Sequence, residues 1–201
     1  TLLGRDKLTL DGYYRLRDEY IERNLYLYVF EISAPRGFGE RWAQGQLKSL
    51  VPELQKPNKE LDPDYSGQYD FWLKKGIRIE VKASRAVDFK KKAPLYVKAL
   101  ASDSERPFDM NFQQVKPRCC DVFIWIGVWR DKIRYWVLAS CEVENNRFYS
   151  VGQHRGNVGE GQLHLKHDNI EHFSDFEVDG RELLEAIQEA HRRQVDYSTT
   201  A

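Results

Sequence analysis

The chain has 201 residues, of which 41% are hydrophobic and 13% aromatic, so it can bury a sizeable core and is not disordered. Its 31 basic and 31 acidic residues give a formal net charge of zero, which excludes attraction of nucleic acid by an overall positive field. No apolar run reaches membrane-spanning length, and three cysteines with one adjacent pair suit neither a disulfide framework nor a CxxC zinc site, so we expect one domain over residues 1–201 in the reducing cytoplasm.

The N-terminal part of the chain predicts two helices. Residues 12–31 carry aromatic and aliphatic side chains at helical spacing, although the portion 26–32 also fits a strand. Residues 39–51 predict the second helix, which follows a Pro-Arg-Gly break. Its buried side would carry Trp42, Leu47 and Leu50.

A tight β-hairpin is predicted at residues 70–82, after an exposed loop at 52–67 that contains three prolines. Residues 77–83 alternate between apolar and polar side chains, which is the period of a half-buried strand. The Lys-Lys-Gly sequence at 74–76 supplies a short turn, with glycine where a positive φ is needed.

The register of this hairpin would bring two carboxylates and an ammonium group together. If Leu73 pairs with Ile77 across the turn, Asp70 lies opposite Glu80, and Lys82 shares the face of Glu80. Like charges in a cross-strand pair are destabilising unless a cation lies between them. The pattern therefore indicates a site for a divalent metal and an activated water. The alternative is a solvated strand face, because Glu-x-Lys is common on surface strands.

The middle of the chain predicts two neighbouring strands. Residues 86–109 are polar and favour a helix and a loop, and residues 111–115 favour a short helical turn that ends at Pro117. The apolar run 121–129 is typical of a buried strand, and residues 132–139 predict a second one. The tryptophans of these strands are interpreted as core residues and not as a stacking platform for bases.

The C-terminal part predicts a glycine-rich loop at 149–161, a strand at 163–167 and an amphipathic closing helix at 181–193. The order helix, hairpin, strand, strand, helix predicts an α/β or α+β fold with a mixed central β-sheet flanked by helices.

The charged residues of the hairpin resemble the catalytic motif of the PD-(D/E)XK superfamily of nucleases, and in particular that of type II restriction endonucleases. Asp70, Glu80 and Lys82 match the Asp–x9–Glu–x–Lys pattern across a hairpin. The sequence departs from the motif at Tyr69, where many members have proline.

The resemblance extends to the flanking segments. A helix that contains Glu40 precedes the hairpin, as the first core helix does in that fold. Residues 111–117 and 120–128 look like the helix-and-strand segment that follows the motif in many restriction enzymes. The likeness covers about residues 37–140, and it implies a restriction-endonuclease-like core followed by accessory or recognition elements.

The resemblance implies a Mg²⁺-dependent endonuclease that cuts duplex DNA at a short specific sequence and leaves 5′-phosphates. Asp70 and Glu80, with the carbonyl group of Val81, would ligate Mg²⁺ or Mn²⁺, and Lys82 would orient the attacking water. A homodimer and a cognate methyltransferase encoded nearby are also implied. The alternatives are a nuclease of DNA repair, recombination or a mobile element that reads DNA structure, a catalytically inactive DNA-binding protein, and a metal-independent interaction domain.

Other residues are candidates for supporting roles. Glu40 is either an accessory carboxylate or a solvated helix residue, and Gln113 either supports the site or caps a helix. Basic residues that follow the site could hold DNA phosphates, and a glycine-rich loop could read bases, although solvated loops have the same composition. These DNA-binding candidates are Arg85, Lys90, Lys91, Lys92, His154, Arg155 and Asn157. His164 and His167 are interpreted as strand-face histidines and not as zinc ligands.

Overall fold

Two β-sheets form the framework of the computed structural model, which describes residues 8–152 and 160–200. The first sheet has five strands, which are β1 (Phe71–Leu73), β2 (Ile77–Arg85), β4 (Val122–Val128), β5 (Ile133–Ala139) and β8 (Glu177–Val178). They lie side by side in the order β1-β2-β4-β5-β8. The second sheet has the order β3-β7-β6 and contains β3 (Asp109–Val115), β7 (Gly161–Lys166) and β6 (Tyr149–Val151). The first sheet is mixed because β2 and β4 run parallel, whereas its other neighbours are antiparallel.

The helices are short except at the two ends of the described chain. The α-helices are α1 (Leu10–Glu22), α2 (Gln44–Leu50), α3 (Leu95–Lys98), α4 (Ser140–Glu144) and α5 (Leu183–Thr200). A π-helical segment, Gly37–Ala43, continues directly into α2. Turns of 3-10 helix occur at Leu27–Glu31, Pro117–Cys119 and Ile170–Phe176. Within the described part of the chain, no helix combines the length and apolarity needed to cross a bilayer.

The five-stranded sheet has a hydrophobic core on each face. On one face Leu47 of α2, Ile187 of α5 and Ile124 of β4 belong to one buried hydrophobic cluster. On the other face Phe112 of β3 packs against Trp125 of β4 with the two rings stacked. All seven residues of β4 are therefore buried, which explains its uninterrupted apolar sequence. The chain is thus α+β, with helices on one face of the mixed sheet and a second sheet on the other.

The hairpin has the predicted register, because Leu73 pairs with Ile77. Its turn places Lys75 at φ 73° and Gly76 at φ 85°, and two consecutive positive φ angles match the right-handed twist of the paired strands. The predicted strands 121–129 and 132–139 are confirmed as β4 and β5. The tryptophans of this region are core residues, as expected, and are at most 2% exposed: Trp125, Trp129 and Trp136.

Four predictions about local structure were wrong. Residues 111–115 belong to β3 and form no helical turn, because Phe112 and Val115 are buried under the first sheet. The first helix ends at Glu22, and the segment 26–32 contains the 3-10 turn Leu27–Glu31 and not a strand. Residues 149–151 pair with β7 as a strand instead of forming a loop. Leu50, expected on the buried side of its helix, is 36% exposed.

Candidate active site

The hairpin brings the side chains of Asp70, Glu80 and Lys82 together where β1 begins. The backbone N–H of Asp70 donates to the carbonyl of Ile79 at 3.0 Å, and the side chains of Asp70 and Glu80 are joined by a hydrogen bond, so the two residues lie beside each other. The ammonium nitrogen of Lys82 lies 2.6 Å from Oε1 of Glu80. The three residues singled out by the sequence are therefore neighbours in space.

Two donors hold the carboxylate of Asp70 in one orientation. Its Oδ2 accepts a hydrogen bond from the backbone N–H of Val81 at 2.9 Å, and its Oδ1 accepts one from Nε2 of Gln44 at 2.6 Å. Gln44 begins α2 and is only 9% exposed. Gln44 was not among the residues predicted from the sequence, although one signal was present: a polar side chain on the buried side of a helix requires a partner.

Lys56 fixes the orientation of the Gln44 amide by contacting the amide oxygen, on the side away from Asp70. Its ammonium group donates to Oε1 of Gln44 and lies 4.4 Å from the centre of the Phe71 ring. Because an ammonium group can only donate, the amide oxygen must face Lys56 and the amide nitrogen must face Asp70. A chain of three polar side chains thus runs from the loop after α2 to the carboxylate of Asp70.

Glu80 is the member of the group whose acidity the fold changes most. The pKa of its carboxyl group is raised from 4.5 to about 7, mainly by burial and also by the charge of Asp70, while the charge of Lys82 acts in the opposite direction. A hydrogen bond with Asp70 also favours the protonated form of Glu80. The carboxyl group of Glu80 is therefore partly protonated near neutral pH, because burial and the nearby charge of Asp70 disfavour its charged form.

The oxygen donors at this point fit a hard divalent cation such as Mg²⁺. The N–H of Val81 points towards Asp70, and its carbonyl lies on the same side because both groups of a strand residue point the same way. Among residues 8–152 and 160–200, no three His, Cys, Asp or Glu side chains are grouped as metal ligands. Two carboxylates and one carbonyl still suit Mg²⁺, which usually keeps several waters and takes only one or two protein carboxylates.

The site opens into a cleft of about 890 Å³. Glu40 lies in its wall, with its carboxylate 3.6 Å from the guanidinium group of Arg36. Gln113 of β3 also lines the cleft and is exposed. The structure therefore brings both accessory candidates to the cleft that contains Asp70 and Glu80.

The charges that line this cleft are balanced. The basic side chains are those of Arg36, Lys82, Arg85 and Lys116, and the acidic ones are those of Glu40, Asp70, Glu80 and Asp109. Lys116 is held in the wall by an ion pair of 2.7 Å with Glu160. Because these residues have a formal charge of zero in total, the cleft does not produce a strong electrostatic field, and a ligand would be held by contacts with individual side chains.

Arg85, a DNA-binding candidate, makes contacts that hold the fold together. Its guanidinium group donates to the backbone carbonyls of Val29 at 3.1 Å and Ile32 at 2.8 Å. It also lies 4.1 Å from the centre of the Phe38 ring. These contacts attach the end of β2 to the segment that precedes α2, so Arg85 positions the wall of the cleft.

The other DNA-binding candidates lie at different places. Residues 90–92, the three lysines, are exposed on a loop whose flanking residues Val87 and Leu95 line the cleft. The remaining three candidates, His154, Arg155 and Asn157, lie outside the described residues.

The two histidines of the His-x2-His sequence have different environments. His164 projects from β7, and its Nδ1 lies 2.6 Å from Oδ1 of Asp109 on the paired strand β3. His167 follows the end of β7 and packs edge-on against the ring of Phe108. His164 is thus a strand-face residue, as expected, whereas His167 lies just beyond the strand.

The geometry of the site is the basis for assigning a function. The resemblance to PD-(D/E)XK nucleases was drawn from the hairpin motif, the preceding helix and a helix-and-strand segment at 111–128, of which the strand is present as β4 whereas residues 111–115 belong to β3. Comparison with protein-family models and with curated protein sequences finds no match to this chain.

Proposed function

We propose that the protein is a divalent-metal-dependent endonuclease that hydrolyses duplex DNA and has a restriction-endonuclease-like core. The observation that carries the proposal is the convergence of the half-buried carboxyl groups of Asp70 and Glu80 with the ammonium group of Lys82, which lies 2.6 Å from Oε1 of Glu80. All three line an open cleft, so a phosphodiester group can reach them.

Asp70 and Glu80, with the carbonyl of Val81, are the residues that would hold Mg²⁺. The bound ion would supply Lewis-acid activation of the phosphate and of a water molecule. Asp70 is preorganised for this role because Gln44 and Val81 fix both of its oxygens before any cation arrives.

Lys82 would hold the attacking water and offset the negative charge that develops on the phosphate. In the reaction, the water oxygen forms a bond to phosphorus while the bond from phosphorus to the 3′-oxygen breaks. The water loses a proton and the departing 3′-oxygen gains one. The products are a 3′-hydroxyl and a 5′-phosphate.

The proposed enzyme is of the restriction type, and it would act as a homodimer that cuts both strands at a short duplex sequence. Incubation of the purified protein with phage DNA and Mg²⁺ or Mn²⁺, on methylated and unmethylated substrates, tests it. Discrete bands that disappear with EDTA are the expected result. A smear or junction-selective cutting would favour a repair or recombination nuclease instead, and no cutting under any of these conditions would exclude the nuclease.

The role of Lys82 has a matched control on the same hairpin. Lys82→Ala should abolish cutting while DNA binding is retained, because the change removes the group that holds the water. Lys74→Ala alters an exposed lysine in the turn and should cut normally. Normal cutting by Lys82→Ala would contradict the proposed role.

A further inference from the structure

The second sheet presents a polar outer face. Burial alternates along β3 and β7, and their inward residues form part of the core: Met110, Phe112, Leu163 and Leu165. The outward positions carry polar side chains, which include Asn111, Gln113, Gln162 and His164. Amide and imidazole groups therefore lie side by side on a surface backed by a rigid core.

Cross-strand contacts hold several of these side chains in place. The register pairs Asn111 with His164, and Nδ2 of Asn111 donates to Oε1 of Gln162 at 3.3 Å. His164 contacts Asp109 at 2.6 Å. The polar face is thus ordered by its own contacts, which limits the entropy that a ligand would have to remove.

The same face continues into the cleft of the candidate active site. Asn111, Gln113 and Gln114 line that cleft together with Asp70 and Glu80. A β-bulge between Phe112 and Val115 leaves two consecutive glutamines exposed, and Gln114 has a φ of 54°, which is unusual for a residue with a side chain. The bulge therefore directs amide groups into the cleft next to the reacting residues.

The other side of the face leads to a basic groove of about 380 Å³. Arg147, His164, Lys166 and His172 line it, with Asp168 as the acidic member of the lining. Guanidinium and ammonium groups at the edge of an amide-bearing surface are the chemistry that binds DNA phosphates. The cleft, the amide face and the basic groove thus follow one another across β3 and β7.

We propose that the outer face of β3 and β7 reads base edges in the major groove of duplex DNA; this inference rests on the proposed function. The major groove admits a two-stranded β-ribbon, and a glutamine amide forms two hydrogen bonds with the N6 and N7 edge of adenine. Gln113 and Gln162 are the base-reading residues, whereas Arg147 and Lys166 contact the phosphates. The surface accordingly favours sites that contain adenine.

Selection from a randomised duplex pool tests this proposal. Lys82→Ala serves as the parent protein, so that bound duplexes stay intact and can be sequenced. The parent should enrich a defined sequence that contains adenine. Gln113→Ala and Gln162→Ala in this background should each reduce discrimination at one base pair by about 5- to 150-fold, because each loses a bidentate contact.

The matched control is Gln188→Ala, which changes a glutamine of α5, the helix that packs on the opposite face of the five-stranded sheet. It should enrich the same sequence as the parent. Thermal melting of each variant checks folding. If Gln162→Ala does not fold, Gln113→Ala by itself tests the proposal, because the side chain of Gln113 is exposed.

The possible results separate this inference from the proposed nuclease. If the wild type cuts DNA and the sequence preference is unchanged in Gln113→Ala and Gln162→Ala, the base-reading role of the β3 and β7 face is overturned. The proposed nuclease activity then stands. Sequence selection that depends on both glutamines, without cutting by the wild type, would overturn the nuclease and support the surface. If the parent enriches no sequence, the inference is overturned.

Discussion

At the scale of single residues, the carboxyl group of Glu80 links the chemistry of the site to the stability of the fold. Its pKa is raised to about 7 in the folded chain, mainly by burial, whereas an unfolded chain would have the ordinary value of 4.5. Between these two values the folded state binds a proton that the unfolded state does not bind. Glu80 therefore contributes stability below pH 4.5 that is lost as the pH rises through about 7.

Glu80→Gln should flatten this dependence, because the amide resembles the protonated carboxyl group and does not titrate. Denaturant unfolding of both proteins from pH 4.5 to pH 8 gives the free energies of unfolding. The wild type should lose more stability than Glu80→Gln over this range, and the difference should grow towards pH 7. Parallel pH profiles for the two proteins would show that Glu80 is not protonated in the folded chain at neutral pH.

Gln44 offers a second prediction at this scale, since its amide orients Asp70. In Gln44→Ala, the Mg²⁺ concentration needed for half-maximal cutting should rise by about 10- to 100-fold, as is typical when a group that orients a metal ligand is lost. The change in metal requirement separates this role from general destabilisation, which would lower the melting temperature at every Mg²⁺ concentration.

Gln46→Ala is the matched control for Gln44. Gln46 lies on the same helix, but its amide donates to the hydroxyl of Tyr135 at 3.2 Å and not to Asp70. Its Mg²⁺ requirement should equal that of the wild type. An equal requirement in Gln44→Ala would mean that Asp70 keeps its orientation without the amide.

At the scale of elements, the sequence predicts those structures that depend on residues close together in the chain. The hairpin was predictable because its turn residues and strand alternation agree with each other, and the register of Leu73 and Ile77 followed from them. The strand conformation of residues 111–115 was not predictable, because a bulge interrupts the alternation of buried and exposed side chains. Its partner strand β7 is also about 50 residues away in sequence. The contact between Gln44 and Asp70 was missed for the same reason, since it joins a helix to a strand across a loop of unpredicted path.

The packing of β4 against β5 gives a prediction about stability. A Cβ added at Gly127 would lie 2.8 Å from Cζ3 of Trp136 and 3.1 Å from Cζ3 of Trp129, which are buried rings. Gly127→Ala should therefore lower the free energy of unfolding by about 1–3 kcal/mol, the usual cost of overpacking. Denaturant titration followed by tryptophan fluorescence measures the change.

Gly45→Ala is the corresponding control, because a Cβ at Gly45 would meet nothing within 4 Å. Gly45 lies inside α2, where alanine is favoured over glycine, so the variant should gain about 0.5–1 kcal/mol. If Gly127→Ala were as stable as the wild type, the two indole rings would have to move without cost.

At the scale of the whole molecule, charge balance limits how the proposed nuclease would bind DNA. The chain has no formal net charge, and the basic and acidic side chains that line the cleft are equal in number. A polyanion gains little from such a surface unless the carboxylates are neutralised. A divalent cation on Asp70 and Glu80 would change the sign of the local field, so cation binding and DNA binding should be coupled.

We therefore expect the affinity for a short DNA duplex to increase by about tenfold or more when Ca²⁺ replaces EDTA at constant ionic strength, which corresponds to about 1.4 kcal/mol of coupling. Ca²⁺ suits this test because it is a hard cation that takes carboxylate oxygens. Fluorescence anisotropy in the Lys82→Ala background measures binding to an intact duplex. The added changes Asp70→Asn and Glu80→Gln should remove the Ca²⁺ effect, because they remove the charged ligands and leave the other lining residues in place. An equal gain with and without the carboxylates would mean that Ca²⁺ acts elsewhere on the protein or on the DNA.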